Sequence, residues 1–586
     1  MSINRRELLI GGMALPLVTA CGKAGRELRL SGDDSSIAHR LRTMDFPAPD
    51  AYEKQKVLIL GGGVAGCTAA YTLEKKGFRD YRLLEMAGEP GGNARSGRNA
   101  VSAFPLGAHY LPLPNAAESD LLEFLQDAGA LKGWSAQGEP RFRDEFLCHD
   151  PEDRVFYEGR WFEGLIAWKA LAQHELDDIR AFFHFISGVR HKKGRDGRRL
   201  FTIPLDQSSR DPEWLKLDRM TFADFVRGQG WHSPYLAWYL DYCCRDDYGT
   251  HWDEVSAWAG IHYFAARDAE RGDGATILTW PEGNAWLIRQ LMRRSQDRWI
   301  GDTLIFRIEK KGSGFIVDGW QSGAGHGAGR RDAGSAGRVE AGGAGRVEAG
   351  GAGRVEAGGA GRVDAGGAGR VEAGGAGHSI RAGHVIRWEA DALIVALPRF
   401  VAQRLLPECA PPPGALSYAP WMVANCTVDR WPQSGGSALA WDNVPFGSAS
   451  LGYVVATHQN VQRYEGASVL TSYWPLAAQK PNVARTIAGM RQAHDWERMV
   501  LADLEHMHPG INRDVRSMDF WLWGHGMIQP RPGYIWGAVR ARMRDEPSSN
   551  LAFAHSDMSG ISIFEEAFAR GRNAALHILQ KRNHHS

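Results

Sequence analysis

Residues 56–86, KVLILGGGVAGCTAAYTLEKKGFRDYRLLEM, leave few folds open to this chain. Val57–Leu60 is a short, wholly apolar run of the kind that fills a parallel strand buried on both faces. Gly61, Gly63 and Gly66 follow as GxGxxG, and Val64 and Ala65 open a helical stretch to Leu73 that presents small residues to a sheet. A second strand, Tyr81–Leu84, ends in Glu85. Each residue type has a physical task. Gly61 permits the tight turn. Gly63 lets backbone N–H groups approach a pyrophosphate at the positive helix N-terminus, and Gly66 lets helix and strand pack closely. Glu85 stands 24 residues after Gly61, where a carboxylate accepts the hydroxyls of an adenosine ribose. The unit predicts an α/β, Rossmann-like dinucleotide site, and the motif by itself does not separate FAD from NAD.

At 586 residues the chain holds two or three domains' worth of core. Its formal charge of +1 supplies no basic field for nucleic acid, which is excluded as a partner. The seven cysteines form no CxxC or Cys/His spacing, so no zinc or other metal site is expected and no disulfide framework. Twenty-one tryptophans fit either aromatic-lined cavities or aromatic cores.

The first residues carry a different signal. Arg5 and Arg6 precede an apolar run, Leu8–Ala20, whose 13 residues are too few to cross a hydrocarbon core. The paired arginines resemble a twin-arginine export signal, and Val18-Thr19-Ala20-Cys21 resembles a lipobox, which makes Cys21 the expected lipidation site. Residues 1–21 therefore read as signal and 22–54 as a polar tether. Farther on, AGRVEAGG recurs in tandem between Ala336 and Gly375. One valine per eight residues buries too little surface to offset backbone entropy, so 322–378 reads as a disordered insertion between two strands. Helices are expected at Ser119–Ala130, through much of Trp161–Ala265 and at Arg485–Met507, with strands dominating the rest of Leu416–Trp536.

Three further stretches bear on the cofactor: MAGEPGGNARSG, with Gly91 and Gly92; ADALIVALP, Ala390–Pro398; and NLAFAHSDMSGISIFEEAFARGRNAALHI near the C-terminus. Together with the N-terminal unit they resemble the flavin-containing amine oxidase superfamily, which includes phytoene-desaturase-like enzymes, across residues 55–582 apart from the repeat. The resemblance implies a Rossmann-like FAD-binding domain, built from 55–135, 275–400 and 546–582, interleaved with an α+β substrate domain from 136–274 and 401–545. It implies FAD; non-covalent binding is expected, since no cysteine follows Cys426 to attach the flavin, and attachment through a histidine stays open. By position, Gly61, Gly63, Val64, Ala65, Gly66 and Glu85 hold the ADP half. Gly91 and Gly92 pass close to the flavin, and Arg95 reaches toward the pyrophosphate. Asn93 stands where many relatives carry arginine. PLGAHYL makes His109 and Tyr110 flavin neighbours, with an ordinary strand-end histidine as the alternative for His109. Ile305 meets the adenine, Asp557 the flavin chain, and Ile563 falls at an aromatic-cage position.

The chemistry implied is hydride transfer from a small organic substrate to flavin, with dioxygen or a redox partner as electron acceptor. Amine-oxidising relatives carry a lysine near flavin N5; here that position reads as Asn425, and no lysine occurs between Lys311 and Lys480. The remaining candidates are Tyr473, Trp523 and His525, the last suited to acid–base work near neutrality. Three readings stay open: an exported, membrane-anchored periplasmic oxidase of amines or other C–H donors; a desaturase or isomerase of a lipid-like substrate; and an electron-transfer or scaffold flavoprotein.

Overall fold

A computed structural model describes residues 26–32, 35–268, 277–322, 383–432, 435–459, 466–544 and 548–583. The signal segment, Cys21 and the AGRVEAGG repeats lie outside the described residues.

Two sheets organise the chain. The first is built on the apolar strand Ala51–Leu60, whose last four residues are fully buried. It pairs in parallel with Tyr81–Leu84 on one side and with Gly383–Val395 on the other. Trp299–Ile300 extends one edge in parallel, and Leu551–Phe553 pairs in parallel with Leu393–Val395. The 13-residue strand Gly383–Val395 is shared. Its C-terminal part belongs to the parallel sheet, while Gly383–Ala390 pairs antiparallel with Gly314–Ser322, which pairs antiparallel with Thr303–Lys311. Ser322 and Gly383 face each other in register, so the chain leaves and rejoins the sheet at neighbouring positions around the repeat insertion.

The helices Val64–Lys75 and Phe564–Asn583 pack against each other over one face of this sheet. Their contact needs glycine: a Cβ on Gly571 would lie 2.1 Å from the Ala65 carbonyl oxygen.

The second sheet has eight strands in the order Glu27–Gly32, Val515–Ile528, Tyr418–Val428, Ser468–Pro475, Tyr453–Val455, Asp442–Pro445, Asp153–Tyr157 and Arg160–Glu163. Helices Gln173–Arg190, Phe222–Gly228, Pro234–Tyr248 and Ala257–Ala265 join one of its faces in a shared aromatic-rich core. The α/β class and the interleaved, Rossmann-like architecture stand as expected.

Two local expectations are corrected. The stretch read as a tether holds regular elements at Glu27–Gly32, Ser35–Ala38 and Arg40–Thr43. Glu27–Gly32 forms an edge strand pairing in parallel with Ser517–Leu522, and the dinucleotide strand begins at Ala51. The polar side chains that suggested an irregular segment face solvent from an edge strand, where alternation is weak. The single helix expected at Arg485–Met507 is two helices, Pro481–Met490 and Ala493–Met507, the second capped by the Gln492 N–H to the Asp495 carboxylate. Of the six described cysteines, all free, only Cys409 is partly exposed.

Candidate functional site

The carboxyl ends of Ala51–Leu60, Tyr81–Leu84 and Gly383–Val395 converge at Gly61–Gly63, the edge where open α/β sheets bind ligands. Gly61 has φ +102°, and a Cβ there would lie 2.7 Å from the Ala396 carbonyl oxygen; one on Gly66 would lie 1.9 Å from the Gly61 carbonyl oxygen. Gly63 differs: a Cβ there meets nothing within 4 Å. The backbone that caps helix Val64–Lys75 thus faces open space that any side chain would fill, with the helix N–H groups behind it. Glu85 reaches back across this turn. Its carboxylate accepts the Gly62 N–H at 2.5 Å and the Ala87 N–H at 2.8 Å.

The di-glycine segment packs directly on this loop. The Gly91 N–H donates to the Gly62 carbonyl at 2.7 Å, and Gly91 and Gly92 take φ of +145° and +54°. The next layer is Leu106–Ala108. The Leu106 N–H donates to the Arg95 carbonyl and the Ala108 N–H to the Asn93 carbonyl, while the Trp523 indole N–H donates to the Leu106 carbonyl at 2.6 Å and the Tyr473 hydroxyl to the Gly107 carbonyl at 3.0 Å. From behind, Thr279 donates to the His109 carbonyl and Asn284 to the Tyr110 carbonyl. The phosphate loop, the di-glycine turn and PLGAHYL therefore form one continuous platform.

Asn425, at the position where relatives carry lysine, is fully buried. It donates to the Pro105 carbonyl at 3.3 Å and accepts from the Thr471 hydroxyl at 2.7 Å. It braces the platform from beneath. Asn93 likewise has a structural contact, donating to the Gly526 carbonyl.

Beyond the platform lies a cavity lined by His109, Tyr110, Tyr242, Trp441 and Tyr473, together with Glu152, Asp153, Asp246 and Asp442. The His109 ring stacks on Tyr473 at 4.3 Å and on Trp441 at 5.5 Å. Burial drives its pKa down to about 3, so the imidazole is neutral through the physiological range. Tyr110 donates to Asp246 at 3.4 Å and Tyr242 to Asp442 at 3.3 Å. Burial first, then the nearby Asp246 and Asp442, push the Tyr473 phenol well above its ordinary pKa.

Tyr473, Trp523, His109 and Tyr110 are thus brought together, with Asn425 supporting them. His525 is not. It stacks on Phe400 at 4.2 Å beside Tyr418, away from the cavity, and burial with nearby Arg485 lowers its pKa to about 4. The neutral-pH acid–base role expected of His525 is corrected on both counts.

The Arg95 guanidinium donates through Nε to the Gly92 carbonyl and lies 5.0 Å and 5.4 Å from the ring centres of Trp521 and Trp523. Asp557 is fully buried, its carboxylate accepting the Arg399 N–H at 2.8 Å and the Tyr418 hydroxyl at 2.7 Å. Burial favours its neutral form, but His555 and these donors prevail and hold it below the usual range. The carboxylate is therefore committed to this chain's own donors. Ile305 is buried at a bulge in Thr303–Lys311, and Ile563 is half-buried just ahead of the last helix. The four cavity carboxylates were missed. They come from segments spread between residues 152 and 442, and no local spacing links them.

Residues 59–128 match the family of NAD(P)-binding Rossmann-like domains. Over the whole chain the fold resembles putrescine oxidase bound to putrescine, at 12% identity and a TM-score of 0.60, covering 90% of this chain and 100% of that one. It also resembles cyclohexylamine oxidase from Brevibacterium oxydans, at 14% identity and a TM-score of 0.57, covering 90% and 99%. A CLA-producing fatty acid isomerase from P. acnes aligns at 14% identity and a TM-score of 0.51, covering 89% and 97%. The chain thus carries a Rossmann-like dinucleotide-binding domain within the fold that these two oxidases and the isomerase share.

Proposed function

We propose that the chain is an FAD-dependent oxidoreductase whose donor is a small cationic amine. The residues fit a dinucleotide: the open backbone at Gly63 suits a pyrophosphate, and Glu85 stands at the ribose position. The platform of Gly91, Gly92 and Leu106–Tyr110, set between that loop and the cavity, favours a flavin over a nicotinamide. Bound there, a flavin supplies a hydride acceptor.

The observation that carries the substrate reading is the lining of the cavity. Four carboxylates and four aromatic rings, counting Tyr110, Tyr242, Trp441 and Tyr473, surround one space. Carboxylates attract an ammonium group, and aromatic faces add cation–π attraction. His109, neutral at physiological pH, adds no opposing charge. The same lining disfavours a fatty carboxylate, which weighs against the lipid isomerase reading. With Asn425 buried in the place of the lysine, the chain offers no lysine on this strand; its part is to bind, orient and exclude water.

Export fits this reading. The phosphate loop, the di-glycine turn and the cavity draw on residues from 61 to 473, so the site exists only in the folded chain, which suits a twin-arginine route and an anchor at Cys21. Anaerobic flavin reduction by putrescine and cyclohexylamine tests the proposal. Asp246→Asn and Asp442→Asn raise the amine concentration needed for half-reduction about tenfold, the loss of one close charge partner. Flavin reduction by fatty acids and by no amine overturns it.

A further inference from the structure

The helix Pro481–Met490 turns its larger apolar side chains outward. Val483, Ile487 and Met490 are 40%, 39% and 73% exposed, and steps of four and three residues put them on one stripe. The buried side of the same helix offers only Ala484 and Ala488. An amphipathic helix in a folded chain ordinarily directs its large apolar residues to the core, so this stripe is built for another surface. Lys480 is exposed at the head of the helix, and Arg491 follows its end, over the Trp496 ring at 4.6 Å.

The position of the N-terminal segment identifies that surface. The Arg26 guanidinium donates to Glu497 at 2.5 Å and to the Val515 carbonyl at 3.1 Å. Glu497 lies on helix Ala493–Met507, which begins three residues after Met490. The described fold is therefore joined to the preceding residues at the helix that follows the exposed stripe in the chain. Four residues separate Cys21 from Arg26, and five extended steps reach no farther than about 18 Å. A lipid on Cys21 holds Arg26, and the side of the molecule on which helix Ala493–Met507 receives it, near a bilayer. Leu30 is 38% exposed on the strand that Arg26 leads into.

We propose that Val483, Ile487 and Met490 dock on an anionic bilayer, with their side chains at the acyl boundary and Lys480 at the headgroups. The helix lies in the interface plane; among the described residues no helix is long and apolar enough to span. The proposal rests on the reading of Cys21 as lipid-bearing, and its consequence is that the flavin enzyme is held in one orientation rather than swinging on a leash.

The full chain, purified from membranes and reconstituted with vesicles of phosphatidylglycerol and phosphatidylcholine carrying a photoactivatable acyl chain, tests this by mapping the crosslinked peptides. Crosslinks fall on the peptides spanning Val483–Met490 and drop about tenfold in Ile487→Asp/Met490→Asp at unchanged flavin content. Crosslinks confined to residues ahead of Arg26, or unchanged in that variant, overturn docking. So do crosslinks that join Met490 of two copies, which assign the stripe to self-association. Incorporation of labelled fatty acid into the wild type and its loss in Cys21→Ser tests the anchor separately. Helix crosslinks without fatty-acid incorporation uphold docking and refute the anchor.

Discussion

Replacing Gly571 by alanine tests how the phosphate loop is held. The new Cβ would lie 2.1 Å from the carbonyl oxygen of Ala65 and 2.9 Å from its carbonyl carbon. A carbon and a carbonyl oxygen settle at about 3.3 Å or more, so the two helices must separate by about 1 Å. Neither obstacle is the flexible end of a side chain. Ala65 sits in the first turn of Val64–Lys75, so the movement shifts the N–H groups beside Gly63 as well. Alanine is the better helix former by about 1 kcal/mol, and overpacking costs about 1–3 kcal/mol. The expected balance is a loss of about 0–2 kcal/mol in stability and FAD binding about tenfold weaker, because cofactor positioning tolerates little displacement. Gly188→Ala is the control. It lies in helix Gln173–Arg190 with nothing within 4 Å of its Cβ, and stability rises by up to about 1 kcal/mol. Urea unfolding of the apoprotein and flavin-fluorescence titration read both quantities. A Gly571→Ala protein as stable as Gly188→Ala, with unchanged affinity, refutes the reasoning.

Glu85→Gln keeps the size of the side chain but removes its charge, and because Gly62 and Ala87 donate to separate carboxylate oxygens, it turns an amide NH2 toward one of the two N–H groups. FAD affinity falls about tenfold or more, the difference between charge-assisted and neutral hydrogen bonds, and isothermal titration checks it. Burial lowers the pKa of His525 to about 4, below an unfolded value of about 6.5. The unfolded chain therefore takes up the proton first, and stability falls as pH drops through 6.5 toward 4, by about 2 kcal/mol at pH 5. Burial lowers His262 to about 4 as well and adds to this loss, whereas Asp218, raised by burial to about 6, works in the opposite direction. His525→Phe removes its share of the acid sensitivity and leaves turnover intact. Equal stability differences between pH 7 and pH 5 in wild type and variant contradict the assignment, as read by urea unfolding.

The parts of the site that depend on neighbours in sequence were legible there. The strand, glycine turn, helix and terminal acid of residues 57–85 each announce themselves because their tasks lie within one βαβ unit. What could not be read was set by packing between distant segments. His525 is a plausible acid–base group from its residue type, and only the contact with Phe400 reveals a buried, neutral ring. Arg95 lies against Trp521 and Trp523, more than 400 positions away, a contact that no local spacing announces. The cavity carboxylates carry no periodicity, since each is delivered by a different element. The strand Glu27–Gly32 was hidden because its partner, Ser517–Leu522, stands almost 500 residues farther along.

That strand also determines how the molecule bears force. Six consecutive residues pair in register with Ser517–Leu522, and the Arg26 guanidinium grips Asn512, Val515 and Glu497 at its head. A tug applied ahead of Arg26 along the strand axis loads all of these hydrogen bonds in shear and at once. None can be peeled away singly. The strand acts as a cleat, so such a load is spread into the eight-stranded sheet before it reaches the phosphate loop.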